Sequence, residues 1–302
     1  MPFLPPAMPP AAAAAPATPS DSSKRTAFLK ELDQWRKKRQ ASLGSENGWL
    51  TLVGLSWLEE GSNAFGSDSA NPVPFPEQKA PAKAGVFVLD QGRVRVKAAA
   101  GAGVKLNGKP IETDHELALK SDAEGKPDVL SLGDLSFYVI KRGDRFAVRV
   151  KDSKSPVLLG FKGVVSFRAD PAYQVVAEFV PYATPKDIQI PTVLGTSETM
   201  QAPGYVKFKL RGKALTLEPV VEDPADPQLF FIFRDRTSGK GTYPAGRFLY
   251  AAMPKDGKVT LDFNRAYNPP CAFTPFATCP LPPPQNRLPI AVKAGEKDYG
   301  HH

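Results

Sequence analysis

A chain of 302 residues has room for two domains of ordinary size, and 42% hydrophobic against 23% charged residues is a globular composition that excludes wholesale disorder. No run of 18 uninterrupted apolar residues occurs, which excludes a membrane-spanning helix. The formal net charge of +8, from 39 Lys and Arg against 31 Asp and Glu, makes an acidic partner worth seeking.

Residues 1–22 are Ala/Pro-rich and predict a disordered leader or linker. Prolines interrupt any apolar core of a signal peptide there, although the segment suits the remnant of one. Residues 23–42 change to helical spacing. Phe28, Leu29, Leu32 and Trp35 make one apolar stripe, and Lys37, Lys38 and Arg39 are expected in the last turn, where cations favour the helix dipole. The apolar run that follows is too short and irregular for its period to separate strand from helix.

After Gly61 short runs rich in Val, Phe, Tyr and Ile dominate: GVFVLD, RVRVKA, LSFYVI, FAVRV, VVSFR, YQVVAEFV, YVKFKL, LTLEPV, LFFIF, RFLYAAM and KVTLDF. Asn107-Gly108, Arg142-Gly143, Arg211-Gly212 and Asp256-Gly257 punctuate them as turns. The reading is all-β, two β-sandwich or barrel-like modules preceded by one amphipathic helix, with modules over 43–152 and 153–302.

The densest basic stretch, Lys141 to Arg168, reads as solvated strand edges or as an anion-binding face. Nucleic acid is not expected as a partner, because Phe146, Phe161 and Phe167 fit inward strand positions better than a base-stacking surface. Glu222, Asp223, Asp226 and Asp235, with Arg234 and Arg236, read as turn and surface charge.

The segment Asp262 to Lys297, DFNRAYNPPCAFTPFATCPLPPPQNRLPIAVKAGEK, concentrates polar side chains on a proline-stiffened scaffold. It is the candidate site, and the alternative is that its side chains satisfy the backbone of an irregular loop. Arg265 and Arg287 suit bidentate recognition of a carboxylate, phosphate or sulfate. Tyr267, Asn268, Asn286, Tyr243 and Arg247 complete the ligand-binding set, the last two sharing a face if GTYPAGRFLY is one strand. Glu178 and Asp262 are the candidate general bases, although the register favoured for Glu178 points it at solvent from a half-buried strand. Cys271 and Cys279, the only two cysteines, would form one disulfide in an exported chain, contributing about 2.5 kcal/mol by chain entropy. With three histidines, His115 and the tag-like His301 and His302, no metal site and no cofactor is expected.

Two resemblances follow from quoted motifs. Gly61 to Asp68 (GSNAFGSD), Val104 to Pro110 (VKLNGKP) and Leu130 to Phe137 (LSLGDLSF) resemble, in order, the opening turn, the hairpin and the closing strand pair of a forkhead-associated domain. That family holds phosphothreonine with an arginine and a Ser-x-x-His set, whereas Ser67 stands in the arginine's place here and no Ser-x-x-His occurs. Gly48 to Leu58 (GWLTLVGLSWL), Thr242 to Tyr250 (TYPAGRFLY) and Leu261 to Pro275 (LDFNRAYNPPCAFTP) resemble domain-of-unknown-function family 1684. Its members are bacterial and archaeal and often carry export signals, so the resemblance implies the periplasm or cell exterior, with the cytoplasm as the alternative, and implies no activity.

The function expected from these observations is binding of an anionic small molecule or glycan through the proline-rich segment. The alternatives are a metal-independent hydrolase or lyase using carboxylate and tyrosine chemistry, and a cell-envelope interaction module.

Overall fold

A computed structural model describes residues 21–111 and 115–300. The expectations for the Ala/Pro-rich leader and for His301 and His302 lie outside the described residues, apart from the leader's last two. Helix α1 (Asp21–Leu43) runs longer than its pattern predicts, so Lys37, Lys38 and Arg39 fall short of the last turn. No helix among the described residues is long and apolar enough to cross a membrane.

The first module carries β1 (Leu52–Trp57), β2 (Gly61–Gly66), β3 (Val73–Pro74), β4 (Gly85–Asp90), β5 (Arg93–Ala98), β6 (Lys105–Leu106), β7 (Lys109–Pro110), β8 (Leu117–Leu119), β9 (Leu130–Leu132), β10 (Leu135–Arg142) and β11 (Arg145–Asp152). They form a six-stranded sheet, β1-β11-β10-β9-β6-β7, and a five-stranded sheet, β3-β2-β4-β5-β8. Alternation decides what lies between them: Phe65, Phe87 and Val96 from one sheet meet Phe137, Val148 and Val150 from the other. Phe65 lies with its ring centroid 4.8 Å from Phe87 and 5.5 Å from Phe137, the tilted packing that aromatic cores favour.

A short helix α2 (Pro156–Leu159), capped by the Ser155 hydroxyl, leads into the second module. There β12 (Gln174–Pro191), β13 (Ser197–Leu210), β14 (Lys213–Leu217) and the later β17 (Lys258–Asp262) make a sheet in the order β14-β13-β12-β17. A hairpin of β15 (Leu229–Phe233) and β16 (Arg247–Ala251) packs over it. The run LFFIF reads as continuously apolar because both faces of β15 are covered. Leu229, Phe231 and Phe233 enter the sandwich core, and Phe230 and Ile232 enter a second cluster with Ile188, Ile190 and Cys279.

Asn107-Gly108, Arg211-Gly212 and Asp256-Gly257 all place both residues at positive φ, as a tight two-residue hairpin turn requires. One predicted strand is absent: VVSFR is an irregular segment in which Ser166 bridges Glu296. Helix α1 docks on the second module. Arg36 donates to the Phe167 carbonyl at 3.0 Å and Trp35 packs 6.4 Å from Tyr267, so residues distant in sequence close against the proline-rich segment.

Candidate functional site

Most of the residues singled out from the sequence hold the loop in place. Arg247 opens β16 and is 1% exposed. It pairs with the Asp235 carboxylate at 2.8 Å and donates to the carbonyls of Val292 at 2.9 Å and of Ala294. It is a structural cation, and Asp235, expected on the surface, is buried as its counterion. Gly295 at φ 78° lets the chain run that close, since a Cβ there would fall 2.3 Å from the Ala266 carbonyl. Tyr243 lies in the turn before β16, not on the strand, so it shares no strand face with Arg247, and its hydroxyl donates to the Cys271 carbonyl at 2.8 Å. Asn286 ties the backbone of Glu218 to that of Ile232, and Asn268 donates to Glu296 and Lys297. Asp262 caps the turn after β17 by accepting from Asn264.

Arg265 and Arg287 do not share a cavity. Arg265 pairs with Asp262 at 3.3 Å and with Glu31 of α1 at 3.6 Å. Arg287 lines a separate open groove of about 930 Å³ with Lys207, Lys209 and Glu178. Glu178 is exposed opposite Lys207 and Lys258, as the solvent-facing register has it, so burial does not make it a general base.

The largest convergence of functional groups lies where α1 and the two modules meet, around a cleft of about 640 Å³. Strand alternation builds one wall. On β11, Phe146, Val148 and Val150 point into the first core, so Ala147 and Arg149 point out of the sandwich, with Ile140 and Arg142 beside them on β10. Ile140 and Ala147 are fully buried on that outer face, against which Thr278 of the second module meets Arg142 and Arg149. Arg149 is carried on the same face and is 4% exposed.

The opposite wall comes from the proline-rich loop. Thr278 Oγ1 accepts from Arg149 Nη2 and from Arg142 Nε, each at 3.3 Å. With both bonds accepted, the Thr278 hydroxyl keeps its own proton to donate. The Arg149 guanidinium lies 5.3 Å from the Trp49 ring centroid, and its Nε is buried with no acceptor. Charge separates this arginine from its neighbours. Arg142 pairs with Asp122 at 2.9 Å, and Arg39 pairs with Glu296 at 3.0 Å, whereas no carboxylate among the described residues pairs with Arg149.

Aromatic rings line the remaining side. Phe230 stacks on Tyr250 at 4.7 Å, Tyr250 on Tyr267 at 6.2 Å, and the Arg39 guanidinium covers Tyr267 at 4.6 Å. The Tyr250 hydroxyl donates to Glu222, which is exposed as expected and lies at the rim of the cleft. Burial pushes the Tyr250 and Tyr267 hydroxyls and the Glu222 carboxyl above their usual ranges, so both hydroxyls stay protonated.

Cys271 and Cys279, expected as a disulfide, are free thiols in contact: the Cys271 N–H donates to Cys279 Sγ at 3.1 Å. The proximity of the two sulfurs lowers the Cys271 pKa and, with burial, raises that of Cys279. Of the residues singled out beforehand, the cleft takes Tyr267 and Cys279. It adds Arg39, Trp49 and Thr278, and takes Arg142 and Arg149 from the basic stretch read as strand edges or as an anion-binding face.

The model of the family described as "Protein of unknown function (DUF1684)" matches residues 159–297. An uncharacterized protein of Haloarcula marismortui, solved by solution NMR, is 34% identical over 47% of this chain and 80% of its own, with a TM-score of 0.40. The chain belongs to this family. Forkhead-associated domains also match. The FhaA FHA domain, solved with the intracellular domain of Rv3910, is 17% identical over 32% of this chain and 96% of its own, at a TM-score of 0.22. The FHA1 domain of yeast Rad53 is 14% identical over 39% of this chain and 68% of its own, at a TM-score of 0.20. No curated protein matches. The sandwich of the first module stands on its own strand pairing, and the DUF1684 match covers the whole proline-rich wall of the cleft.

Proposed function

We propose that this DUF1684 protein binds a small molecule bearing a carboxylate, phosphate or sulfate group in the cleft between its modules. Arg149 carries the reading: a guanidinium 4% exposed, with no carboxylate partner among the described residues, on the wall of a cleft of about 640 Å³. An isolated buried charge is expensive, and an anion offers the compensation that Arg142 and Arg39 already have from their own partners. Arg149 and the Thr278 hydroxyl supply donors in the fork geometry that suits such a group. The proline-rich segment keeps a part in binding through Tyr267, Pro270, Thr278 and Pro280.

The test is a thermal-shift and calorimetric screen of sulfate, phosphate, di- and tricarboxylates, sugar acids and phosphorylated metabolites. At least one class should stabilise the wild type, and Arg149→Met should abolish that response while Arg265→Ala and Arg287→Ala leave it intact. Binding that survives in Arg149→Met would refute the assignment. A second reading, acid–base catalysis on the bound acid, draws on Tyr250 held on Glu222 at the cleft rim. It replaces Glu178 and Asp262 with Glu222 as the carboxylate, and it requires that a ligand found in the screen be consumed by the wild type and not by Glu222→Gln.

A further inference from the structure

The two thiols flank the loop that presents Thr278. Cys279 follows Thr278 directly and lines the cleft, and Cys271 sits in the turn Pro270–Ala272, with its N–H on Cys279 Sγ at 3.1 Å. The loop also pins the hairpin of β12 and β13, since the Cys279 carbonyl accepts from Val193 N–H at 3.0 Å and Thr192 bridges Pro280. A change at Cys279 is therefore felt by the anion-binding hydroxyl and by the hairpin that brings Glu198 and Thr199 to the cleft.

We propose that Cys271 and Cys279 form a redox site, oxidised by a peroxide to a disulfide that weakens anion binding at Arg149 and Thr278. The second half rests on the cleft reading above. The thiol pair is asymmetric. The Cys279 sulfur, placed against the Cys271 backbone N–H, favours the Cys271 thiolate, while that neighbour and burial hold the proton on Cys279. Cys271 is half-buried and is the attacking sulfur. Its thiolate attacks one oxygen of hydrogen peroxide, the O–O bond breaks, and the departing hydroxide takes up the proton that Cys271 had released, giving a sulfenic acid and water. The Cys279 thiol then attacks the sulfenic sulfur, the S–O bond breaks, and the hydroxyl leaves with the Cys279 proton as a second water. Two thiols and one peroxide thus give one disulfide and two waters.

A covalent S–S bond is shorter than any contact between free thiols, so closure draws Cys279 toward Cys271. Thr278 Oγ1 already sits at the long end of hydrogen-bond distance, 3.3 Å from a nitrogen of each guanidinium, so a small displacement is enough to break these bonds. Moving it removes a donor from the anion and an acceptor from both arginines.

The experiment uses the full chain, reduced and then treated with stoichiometric hydrogen peroxide, with sulfate as the probe. Intact-mass measurement reads the thiols and calorimetric titration reads the cleft. The expected results are a mass decrease of two hydrogens and sulfate affinity lower by roughly fivefold or more, the weight of about one hydrogen bond. The Cys271→Ser/Cys279→Ser double variant should lose no hydrogens, and its sulfate affinity, whatever its starting value, should be the same before and after peroxide. Cys271→Ser alone should block the disulfide, which keeps the test informative if the double variant folds poorly. An unchanged mass, or added oxygens in place of lost hydrogens, overturns the redox site. A disulfide with unchanged sulfate affinity overturns the coupling. Failure of reduced and oxidised protein alike to bind sulfate removes the coupling together with the anion reading at this cleft, while the mass still decides the chemistry of the thiols.

Discussion

Replacing Arg149 with methionine should make the protein more stable in anion-free buffer. The guanidinium is 4% exposed, and its compensation is small: a hydrogen bond at 3.3 Å to a hydroxyl shared with Arg142, and a cation–π contact at 5.3 Å with Trp49. These contribute about 1 kcal/mol each. Against them stands a desolvation penalty of several kcal/mol for an ion without a counterion. Lys151, two residues along the same face of β11, adds like-charge repulsion. Methionine keeps the unbranched stem against Trp49 and discards the charge, for an expected gain of about 1 to 2 kcal/mol. The assay is urea denaturation followed by tryptophan fluorescence, comparing midpoints and slopes in buffer without sulfate or phosphate. Adding the anion should reverse the order, because saturation at about a hundredfold over Kd stabilises only the wild type, by about 2.7 kcal/mol. A loss of more than about 1 kcal/mol in the anion-free variant would show that Arg149 is structural and would refute the reasoning.

Arg247→Met should act in the opposite direction, costing about 3 to 5 kcal/mol in the same urea assay, because it strands the Asp235 carboxylate, whose side chain is 0% exposed. Phosphothreonine peptides should show no phosphate-dependent binding by fluorescence anisotropy, since Ser67 in the arginine's place spends its hydroxyl on the Ala80 carbonyl at 2.7 Å. Glu124 accepts from the Ser121 backbone N–H at 2.9 Å and from its hydroxyl at 3.0 Å, and these bonds lower its pKa. A depressed carboxyl stabilises the fold above its unfolded pKa of about 4.3 and loses that contribution as pH falls through the lower folded value. Melting curves of Glu124→Gln below pH 5 should accordingly fall less steeply than those of the wild type.

Local pattern carried the fold because period and turn chemistry are local. The alternation in GVFVLD and RVRVKA and the paired positive φ at Asn107-Gly108 were both readable without knowing what packs where. VVSFR failed for the complementary reason. It has strand composition, but its backbone partners, Gly295 and Lys297, lie at the far end of the chain and supply only isolated bonds. The proline-rich segment was visible as a polar, stiffened stretch, yet its composition could not say whether those polar groups face a ligand or a backbone. Asn286, Asn268 and Asp262 turn out to face backbone.

The cleft was harder to read because it forms between units that local pattern describes one at a time. A signal existed nonetheless in β10 and β11, where Ile140 and Ala147 occupy outward positions beside Arg142 and Arg149. Apolar residues on the supposed solvent face of a sheet indicate that something covers it, and charges on a covered face need partners. Burial alone does not separate the two readings, since Arg247 at 1% and Arg149 at 4% exposed are alike in that respect, and each has a buried Nε without an acceptor. Compensation does separate them: Arg247 has a carboxylate and backbone carbonyls around its terminal nitrogens, and Arg149 has a single shared hydroxyl. A fold gains nothing by keeping an uncompensated charge in its interior where methionine would pack as well. That mismatch is what favours the cleft beside Arg149, over the proline-rich loop as a whole, for the anion site proposed above.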